Sequence, residues 1–373
     1  MPKNDKLAKE LIKATKNGKL EIIEKILKLG TNINVTDKKG RTPLIIAARK
    51  GKKKKIKNLV QYGADLNYQD KNGNTALIWA VKKGWTNIAR FLIKAGAEVN
   101  VKSGISEIAS DTVSSKNIAG FSDYNKYLTK FDEGNTALMW ASYYGYKNIV
   151  KLLIKSGAKI NEKNSSGVTA LMFSAVGGYA DITDYLLRHG ADSDEQDNDG
   201  WVPLMEAAVE NHFDVVRVLL KHGADINKKN KIGWTSLMWA AYKSSVQMVR
   251  LLLDKKADIH VTDCLGETAL MKAASSGYYD IVKMLVEAGG RVNDVNSSGA
   301  TAIMLAAGKG QFSAEMDIRN QGNEHAKIVK YLIKNGANID LKDKKGKTVL
   351  QIAKDYKKYD IVVIIENLPI SSE

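Results

Sequence analysis

Apolar residues come in short clusters separated by polar turns, as the segment 74–100 (NTALIWAVKKGWTNIARFLIKAGAEVN) shows. Thr75 stands where a helix N-cap belongs, and apolar positions 76, 77, 80 and 81 give the following helix one apolar face. Gly84 ends this helix, and apolar positions 88, 89, 91 and 92 predict a second one. Gly96 fits the left-handed position after the last turn of that helix. The segment therefore predicts two short helices followed by a polar loop.

The same pattern recurs along almost the whole chain. Glycines that close turn sequences such as DKNG at 70–73 recur at Gly40 and Gly73, and then every 33 residues from Gly134 to Gly299. A single copy cannot bury its apolar face, so copies with this period must stack on one another. The period predicts an all-α repeat solenoid.

These residues resemble the ankyrin repeat family, whose unit is a β-turn finger followed by two antiparallel helices, with the signature T-P-L-H-x-A-A. The chain has TPLIIAA at 42–48, TALMWAS at 136–142 and TSLMWAA at 235–241. Ile or Met replaces the signature His in each full copy, and we expect apolar packing there: Ile45, Ile78, Met139, Met172, Met205, Met238, Met271 and Met304. The resemblance implies one solenoid over 1–373 with about ten units. These are a capping repeat at 5–36, repeats one and two at 37–102, repeats three to eight at 132–342, and a degenerate capping repeat at 343–367.

Two insertions interrupt the period. The first, at 103–131, falls in a finger between the second and third repeats and carries Phe121, Tyr124, Tyr127 and Phe131. The second, at 311–324, falls between the two helices of the eighth repeat. We expect both to form surface loops, and either a tolerated insert or a functional loop fits the sequence.

The composition and charge of the chain narrow the range of functions that the sequence allows. The chain has 373 residues, 44% of them hydrophobic, and a net charge of +16. Lys outnumbers Arg by 49 to 8, which favours nonspecific electrostatics over base readout. Residues 1–60 carry a net charge of +13, whereas residues 184–226 carry −7. Cys264 is the single cysteine, and neither a signal peptide nor an apolar run long enough to span a membrane is evident, so we expect a cytoplasmic monomer; export as an effector remains an alternative.

No catalytic motif stands out. His189 and His222 are one period apart and are expected at exposed ends of second helices. The acidic run at 192–199 lacks the pattern of a calcium loop, and Cys264 has no activating His nearby. The sequence therefore predicts no enzyme, no cofactor and no metal.

The surface carries the candidate sites. In the ankyrin family, recognition residues flank the finger glycine and end the first helix, and here aromatic side chains at these positions suggest an interface. The resemblance implies partner contacts at Tyr143, Tyr144, Asp199, Trp201, Val209, Glu210, Ile232, Trp234, Tyr242 and Lys243. We expect Trp201 and Trp234 to be exposed on neighbouring fingers, although mutual stacking is an alternative. Trp79, Trp140 and Trp239 are expected to be partly buried, and Glu206 and Lys272, which share their repeat position, suggest that this position is not fully buried.

The sequence thus favours a non-enzymatic scaffold, an adaptor, inhibitor or effector, that binds a protein or peptide on a concave face of fingers and first helices. The alternative is electrostatic binding of nucleic acid through the Lys-rich N-terminal end. The candidate residues for that alternative are Lys38, Lys39, Arg41, Arg49, Lys50, Lys52, Lys53, Lys54 and Lys55.

Overall fold

The computed structural model describes residues 3–104, 133–308 and 318–368, which contain twenty helices and no strand. The first ten helices are α1 (Lys3–Asn17), α2 (Leu20–Lys28), α3 (Pro43–Arg49), α4 (Lys53–Gln61), α5 (Ala76–Lys82), α6 (Thr86–Lys94), α7 (Ala137–Tyr143), α8 (Lys147–Lys155), α9 (Ala170–Val176) and α10 (Ala180–Arg188). The other ten are α11 (Pro203–Val209), α12 (Phe213–Lys221), α13 (Ser236–Tyr242), α14 (Val246–Asp254), α15 (Ala269–Ser276), α16 (Tyr279–Glu287), α17 (Ala302–Ala307), α18 (Ile318–Lys334), α19 (Val349–Asp355) and α20 (Tyr359–Glu366).

The helices group into two compact units, one holding α1–α10 and the other, from Asp199 onward, holding α11–α20. Within each unit, the first helix of a pair packs on its second helix and on the first helix of the next pair. This arrangement confirms the predicted all-α repeat solenoid.

The first helices begin where their caps predict. The Thr75 hydroxyl accepts a hydrogen bond from the backbone N–H of Ile78 at 3.2 Å, and five other threonines cap the equivalent helices of full repeats in the same way. The Ile and Met residues that replace the signature His are all buried, so apolar packing does take its place. Val202 occupies the Thr position of the fifth repeat, and α11 consequently has no side-chain cap.

Successive fingers are joined by one backbone hydrogen bond per repeat. In the second unit, the N–H of Lys231 donates to the carbonyl of Asp199 at 3.0 Å, and one period later Cys264 donates to Ile232 at 3.1 Å. The first unit repeats the bond, for example from Lys71 to Lys39 at 3.1 Å. These bonds hold equivalent positions of neighbouring repeats side by side.

The finger interrupted by the first insertion keeps the same backbone hydrogen bonds as the preceding finger. The N–H of Ser103 donates to the carbonyl of Asn135, and the N–H of Gly134 donates to that of Ser103, both at 2.9 Å. Asp70, Asn74 and Gly73 make the same two bonds in the preceding finger. Residues 105–132, with the four aromatic residues named above, lie outside the described residues.

The second insertion differs from the expected loop. α18 begins at Ile318, so residues 318–324 form the start of a helix and lengthen the second helix of that pair to 17 residues. Residues 309–317 lie outside the described part of the chain.

We predict that Gly233→Ala destabilises the protein more than Gly223→Ala. Both glycines have φ near +80° to +90°, a region that costs other residues about 1–2 kcal/mol. A Cβ on Gly223 meets nothing within 4 Å, whereas a Cβ on Gly233 would lie 2.8 Å from the backbone of Asp263 in the next finger. Urea unfolding should show a loss of about 1 kcal/mol for Gly223→Ala and about 3 kcal/mol for Gly233→Ala. Equal losses would show that contact between fingers does not constrain this turn.

Candidate partner-binding site

Four aromatic side chains of the second unit pack together, and we call them the tryptophan cluster: Trp201, Trp234, Trp239 and Tyr242. The ring of Trp239 lies between the other two tryptophans, with its centroid 4.7 Å from that of Trp201 and 4.4 Å from that of Trp234. Tyr242 meets Trp234 edge-on at 5.3 Å. The structure therefore brings together three of the predicted contact residues, with Trp239 as the fourth member.

The expected exposure of Trp234 is wrong. Its side chain is only 9% exposed, because Trp239 packs on it and the ammonium of Lys272 lies 4.7 Å from its ring centroid. Trp201 is half-buried, so its expected exposure is wrong as well, whereas the half-buried Trp239 agrees with the expectation for that residue. Direct stacking between Trp201 and Trp234 was the alternative, whereas each of them stacks on Trp239.

Lys272, at the repeat position of Trp239, is 6% exposed and belongs to a buried ionic network. Its Nζ lies 2.7 Å from Oδ2 of Asp263 and also contacts the carboxylate of Glu267. Asn296 Nδ2 in turn donates to Glu267 Oε1 at 3.1 Å. The expectation that this position is not fully buried is therefore wrong, because two carboxylates and a tryptophan ring enclose the ammonium.

Glu206 occupies the same position one repeat before Trp239 and is 1% exposed. Among the described residues, neither of its carboxyl oxygens has a hydrogen-bond partner. Burial, with a smaller contribution from the charge of Glu210, raises the pKa of Glu206 well above its usual range. The expected partial exposure of Glu206 is therefore wrong as well.

Two exposed apolar side chains lie at the fingertips of the same unit, and we call Ile232 and Leu265 the fingertip pair. They are 51% and 55% exposed, and each directly precedes a finger glycine. Other fingers have Lys39, Asn72, Glu133, Ser166, Asp199 or Ser298 at this position. Sequence reasoning included Ile232 but missed Leu265, although the apolar residue at a polar repeat position was a visible signal.

Four further predicted contact residues of the second unit are Asp199, Val209, Glu210 and Lys243. Asp199 is exposed, while Val209, Glu210 and Lys243 are half-buried at or just beyond the ends of α11 and α13. Burial lowers the pKa of Lys243, and the charge of Glu210 partly offsets this effect.

The two predicted tyrosines lie in the first unit, within a separate aromatic group. The side chain of Tyr143 is 36% exposed, and its ring meets the ring of Phe173 edge-on with the centroids 5.7 Å apart. Tyr144 stacks on Trp140 and Tyr146 with centroid distances of 6.0 and 5.7 Å. Burial, reinforced by Tyr143 and Tyr146, raises the pKa of Tyr144 to about 12. Trp140 is only 2% exposed, so the expectation that it is partly buried is wrong.

At least four of the nine candidate polyanion-binding residues make contacts within the chain. Lys50 Nζ donates to the carbonyl of Lys16, and Lys55 Nζ donates to the carbonyls of Ala14 and Thr15, so both bind the C-terminal end of α1. Arg41 pairs with Asp37 at 2.7 Å, and although burial opposes the change, the hydrogen bonds from Arg41 help lower the pKa of Asp37 to about 2.

Arg49 is the fourth, because its guanidinium carbon lies 5.0 Å from the ring centroid of Trp79. Polyanion binding by the nine candidate residues stays a prediction. Two of the nine residues, Arg41 and Lys55, are half-buried, and the other seven are exposed.

Within the described residues, no group of three or more His, Cys, Asp or Glu side chains is placed to hold a metal ion. Likewise, no helix in the described ranges is long and apolar enough to cross a membrane.

Pairs of short helices, stacked in register and joined by hydrogen-bonded fingers, define a helical repeat protein. A family model described as "Ankyrin repeats (3 copies)" matches residues 11–103, 158–230, 194–263 and 237–316, and one described as "Ankyrin repeat" matches 133–165 and 298–344. The chain belongs to the ankyrin repeat family. No curated protein matches it.

We predict that Glu206→Met raises the free energy of unfolding at pH 7 by about 1–3 kcal/mol, because it removes a buried polar group that has no partner. The pKa of Glu206 is raised in the folded state above its ordinary value of 4.5, so the folded protein keeps a proton that the unfolded chain releases. Wild-type stability should therefore be greatest, with respect to this group, below about pH 4.5 and fall as the pH rises toward the folded pKa.

Urea titrations between pH 4 and pH 8 would measure both effects. Glu206→Met should lose this decline, whose slope approaches 1.4 kcal/mol per pH unit for a single proton. The exposed Glu287→Met is the matched control and should keep the wild-type slope. A less stable Glu206→Met protein at pH 7 would contradict the absence of a partner for this carboxyl group.

Proposed function

We propose that this protein is a non-enzymatic scaffold that binds a protein or peptide segment through the fingers and first helices of its second unit. Ankyrin repeats are in general protein–protein interaction modules, which supports the class of function. We choose this surface because of the fingertip pair, which presents two exposed apolar side chains on adjacent fingers. The half-buried Trp201 and Tyr242 supply aromatic surface on the same unit.

Apolar fingertips are costly to leave in water and are suited to burial against a partner. Cys264 donates its N–H to the carbonyl of Ile232, so the two fingertips are held in a fixed relation by the backbone. A surface that is already ordered loses less conformational entropy on binding. Tryptophan and tyrosine beside it are residue types that often dominate binding energy.

Electrostatic binding of nucleic acid is not proposed as a second function. Lys50, Lys55, Arg41 and Arg49 make contacts within the chain that explain their presence without a ligand. No described contact favours a polyanion on the remaining Lys-rich surface.

We predict that Ile232→Ser combined with Leu265→Ser weakens partner capture at least tenfold, because a well-placed pair of contact residues contributes more than about 1.4 kcal/mol. Both side chains are exposed, so the thermal unfolding midpoint should stay within about 2 °C of the wild-type value. Affinity purification from extracts of the source organism, followed by quantification of each captured protein, measures the effect.

The matched control is Val363→Ser combined with Tyr359→Ser on α20, where both side chains are also exposed, 55% and 69%. This control should capture the same proteins as the wild type. Trp234→Ala is unsuitable for the test, because truncating a buried tryptophan costs about 3–5 kcal/mol of stability. Undiminished capture by the fingertip variant would rule out this surface.

A further inference from the structure

Exposed lysines lie on both sides of the fingertip pair, and we call Lys231, Lys344 and Lys345 the fingertip lysines. Lys231 directly precedes Ile232, and Lys344 and Lys345 occupy the same two positions of a finger two repeats after Leu265. All three side chains are exposed. In the parts of the chain that the structure describes, none of their ammonium groups has a hydrogen-bond or ion-pair partner. These cations are therefore accessible to a partner.

Backbone hydrogen bonds hold the fingertip lysines and the fingertip pair on one series of fingers. The bond between the two apolar fingers is repeated at the next two steps: the N–H of Ser297 donates to the carbonyl of Leu265 at 2.8 Å, and the N–H of Lys344 donates to that of Ser298 at 2.9 Å. Four successive fingers thus present, in order, a lysine with an isoleucine, a cysteine with a leucine, two serines, and two lysines. This arrangement is fixed before any partner binds.

The residues that hold these four turns do not pair with the fingertip lysines. Oδ1 of Asp263 and Oδ1 of Asp343 each accept hydrogen bonds from two backbone N–H groups of their own finger. Oδ2 of Asp263 also lies 2.7 Å from Nζ of the buried Lys272. Asn230 and Asn296 hold the other two turns in the same way and carry no charge. The charged side chains at these four fingertips are therefore lysines alone.

An acidic side chain adjoins this series at its first end. Asp199 is exposed at the preceding fingertip, and its carbonyl accepts the hydrogen bond from the N–H of Lys231. A carboxylate of a partner is thus repelled at Asp199 and attracted by the fingers that follow. The charge pattern gives the surface a direction.

An apolar centre between charged edges is typical of a protein–protein interface. Single-stranded nucleic acids, by contrast, are bound by aromatic rings on which bases stack, in addition to positive charge. No aromatic residue occupies either fingertip position of these four fingers. The aliphatic Ile232 and Leu265 are suited to burial against apolar side chains instead. The surface therefore fits an acidic polypeptide better than a nucleic acid.

We propose that the partner segment is acidic, with apolar side chains packed on the fingertip pair and Asp or Glu carboxylates placed against Lys231 on one side and against Lys344 and Lys345 on the other. This inference rests on the proposed function, because it specifies the chemistry of a segment bound to that surface. Complementary charges at the edge of an interface mainly speed association and exclude partners of the wrong charge. The fingertip lysines thereby select an acidic segment, and the fingertip pair holds it.

The probes for this proposal come from a library of random twelve-residue peptides displayed on phage and selected against the full chain. Peptides that bind through the fingertip pair are identified by their loss of binding to Ile232→Ser/Leu265→Ser. These peptides should share Asp or Glu residues on both sides of one or two apolar residues. Fluorescence polarisation of a labelled synthetic peptide of the shared sequence then measures affinity.

Replacing all three fingertip lysines by glutamine should weaken binding of this peptide about tenfold, because each exposed charge pair makes a modest contribution. The matched control is Lys221→Gln/Lys255→Gln/Lys334→Gln, which removes three exposed lysines at or just beyond the ends of α12, α14 and α18. The control loses the same net charge and should bind like wild type. Raising the salt concentration from about 50 mM to about 300 mM should weaken peptide binding to wild type more than to the glutamine variant of the fingertip lysines.

A charge exchange separates direct pairing from a general effect of net charge. Lys231→Glu/Lys344→Glu/Lys345→Glu should bind the acidic peptide about a hundredfold more weakly than wild type. The same variant should bind a peptide whose Asp and Glu residues are replaced by Lys more tightly than wild type does. Glutamates at Lys221, Lys255 and Lys334 should not reverse the preference in this way.

Two results would overturn the inference and leave the proposed function intact. One is a shared sequence without acidic residues among the peptides that require the fingertip pair. The other is an equal loss of affinity in the glutamine variant of the fingertip lysines and in its control. By contrast, selected peptides that all bind Ile232→Ser/Leu265→Ser as tightly as wild type would overturn the proposed function itself.

Two further measurements test other occupants of the same surface. A twelve-nucleotide oligothymidylate that binds more tightly than the peptide and depends on the fingertip lysines would overturn the inference in favour of nucleic acid. Sedimentation velocity of the chain alone should show no association that the fingertip lysines control. An association that is lost in their glutamine variant would make a second copy of the chain the occupant and would also overturn the inference.

Discussion

The backbone hydrogen bond between successive fingers is the constraint on which the described architecture depends. In the second unit it joins Lys231 to Asp199 and Cys264 to Ile232, and it requires the glycine of each finger to approach the next finger closely. A bond repeated at every step keeps residues one period apart next to each other. Within a unit, the face formed by the fingers and first helices therefore has the same backbone in every repeat, and only its side chains differ from one repeat to the next.

On that regular backbone, three chemically different side chains occupy the same repeat position. Trp239 fills it with a ring that packs on two other tryptophans, and Lys272 fills it with an ammonium balanced by two carboxylates. Glu206 fills it with a carboxyl that has neither kind of compensation. Backbone geometry does not explain the difference, since the three residues occur in equivalent helices. The difference arises from the neighbouring side chains of each repeat.

This dependence on neighbours also separates what could be predicted from what could not. Caps such as Thr75 and turn glycines such as Gly233 act within a few residues, so the sequence was enough to predict the helices and the repeat. The burial of Trp234 depends on Lys272 from the next repeat, and the engagement of Lys55 depends on the C-terminal end of α1. Such contacts require knowing which side chain of a neighbouring repeat reaches across. Leu265 was predictable in principle, because an apolar residue stands at a fingertip position that is polar in most repeats.

Several departures from the local rules of this fold occur in the repeats that carry the candidate surface, and others occur elsewhere in the described residues. Val202 leaves α11 without a side-chain cap, and Glu206 leaves a carboxyl buried without a partner. Asn211, Ser244 and Lys256 adopt positive φ where glycine is the usual residue, each at a cost of about 1 kcal/mol, and Lys357 does so in the last repeat. Stability in a repeat protein is close to a sum over repeats and their contacts, so the other repeats of the unit can compensate for these costs. A sequence under selection for stability alone would remove them one at a time, because each can be changed without altering the fold. Glu206 is the departure that packing explains least, because apolar residues such as Phe173 and Leu305 fill the same repeat position elsewhere.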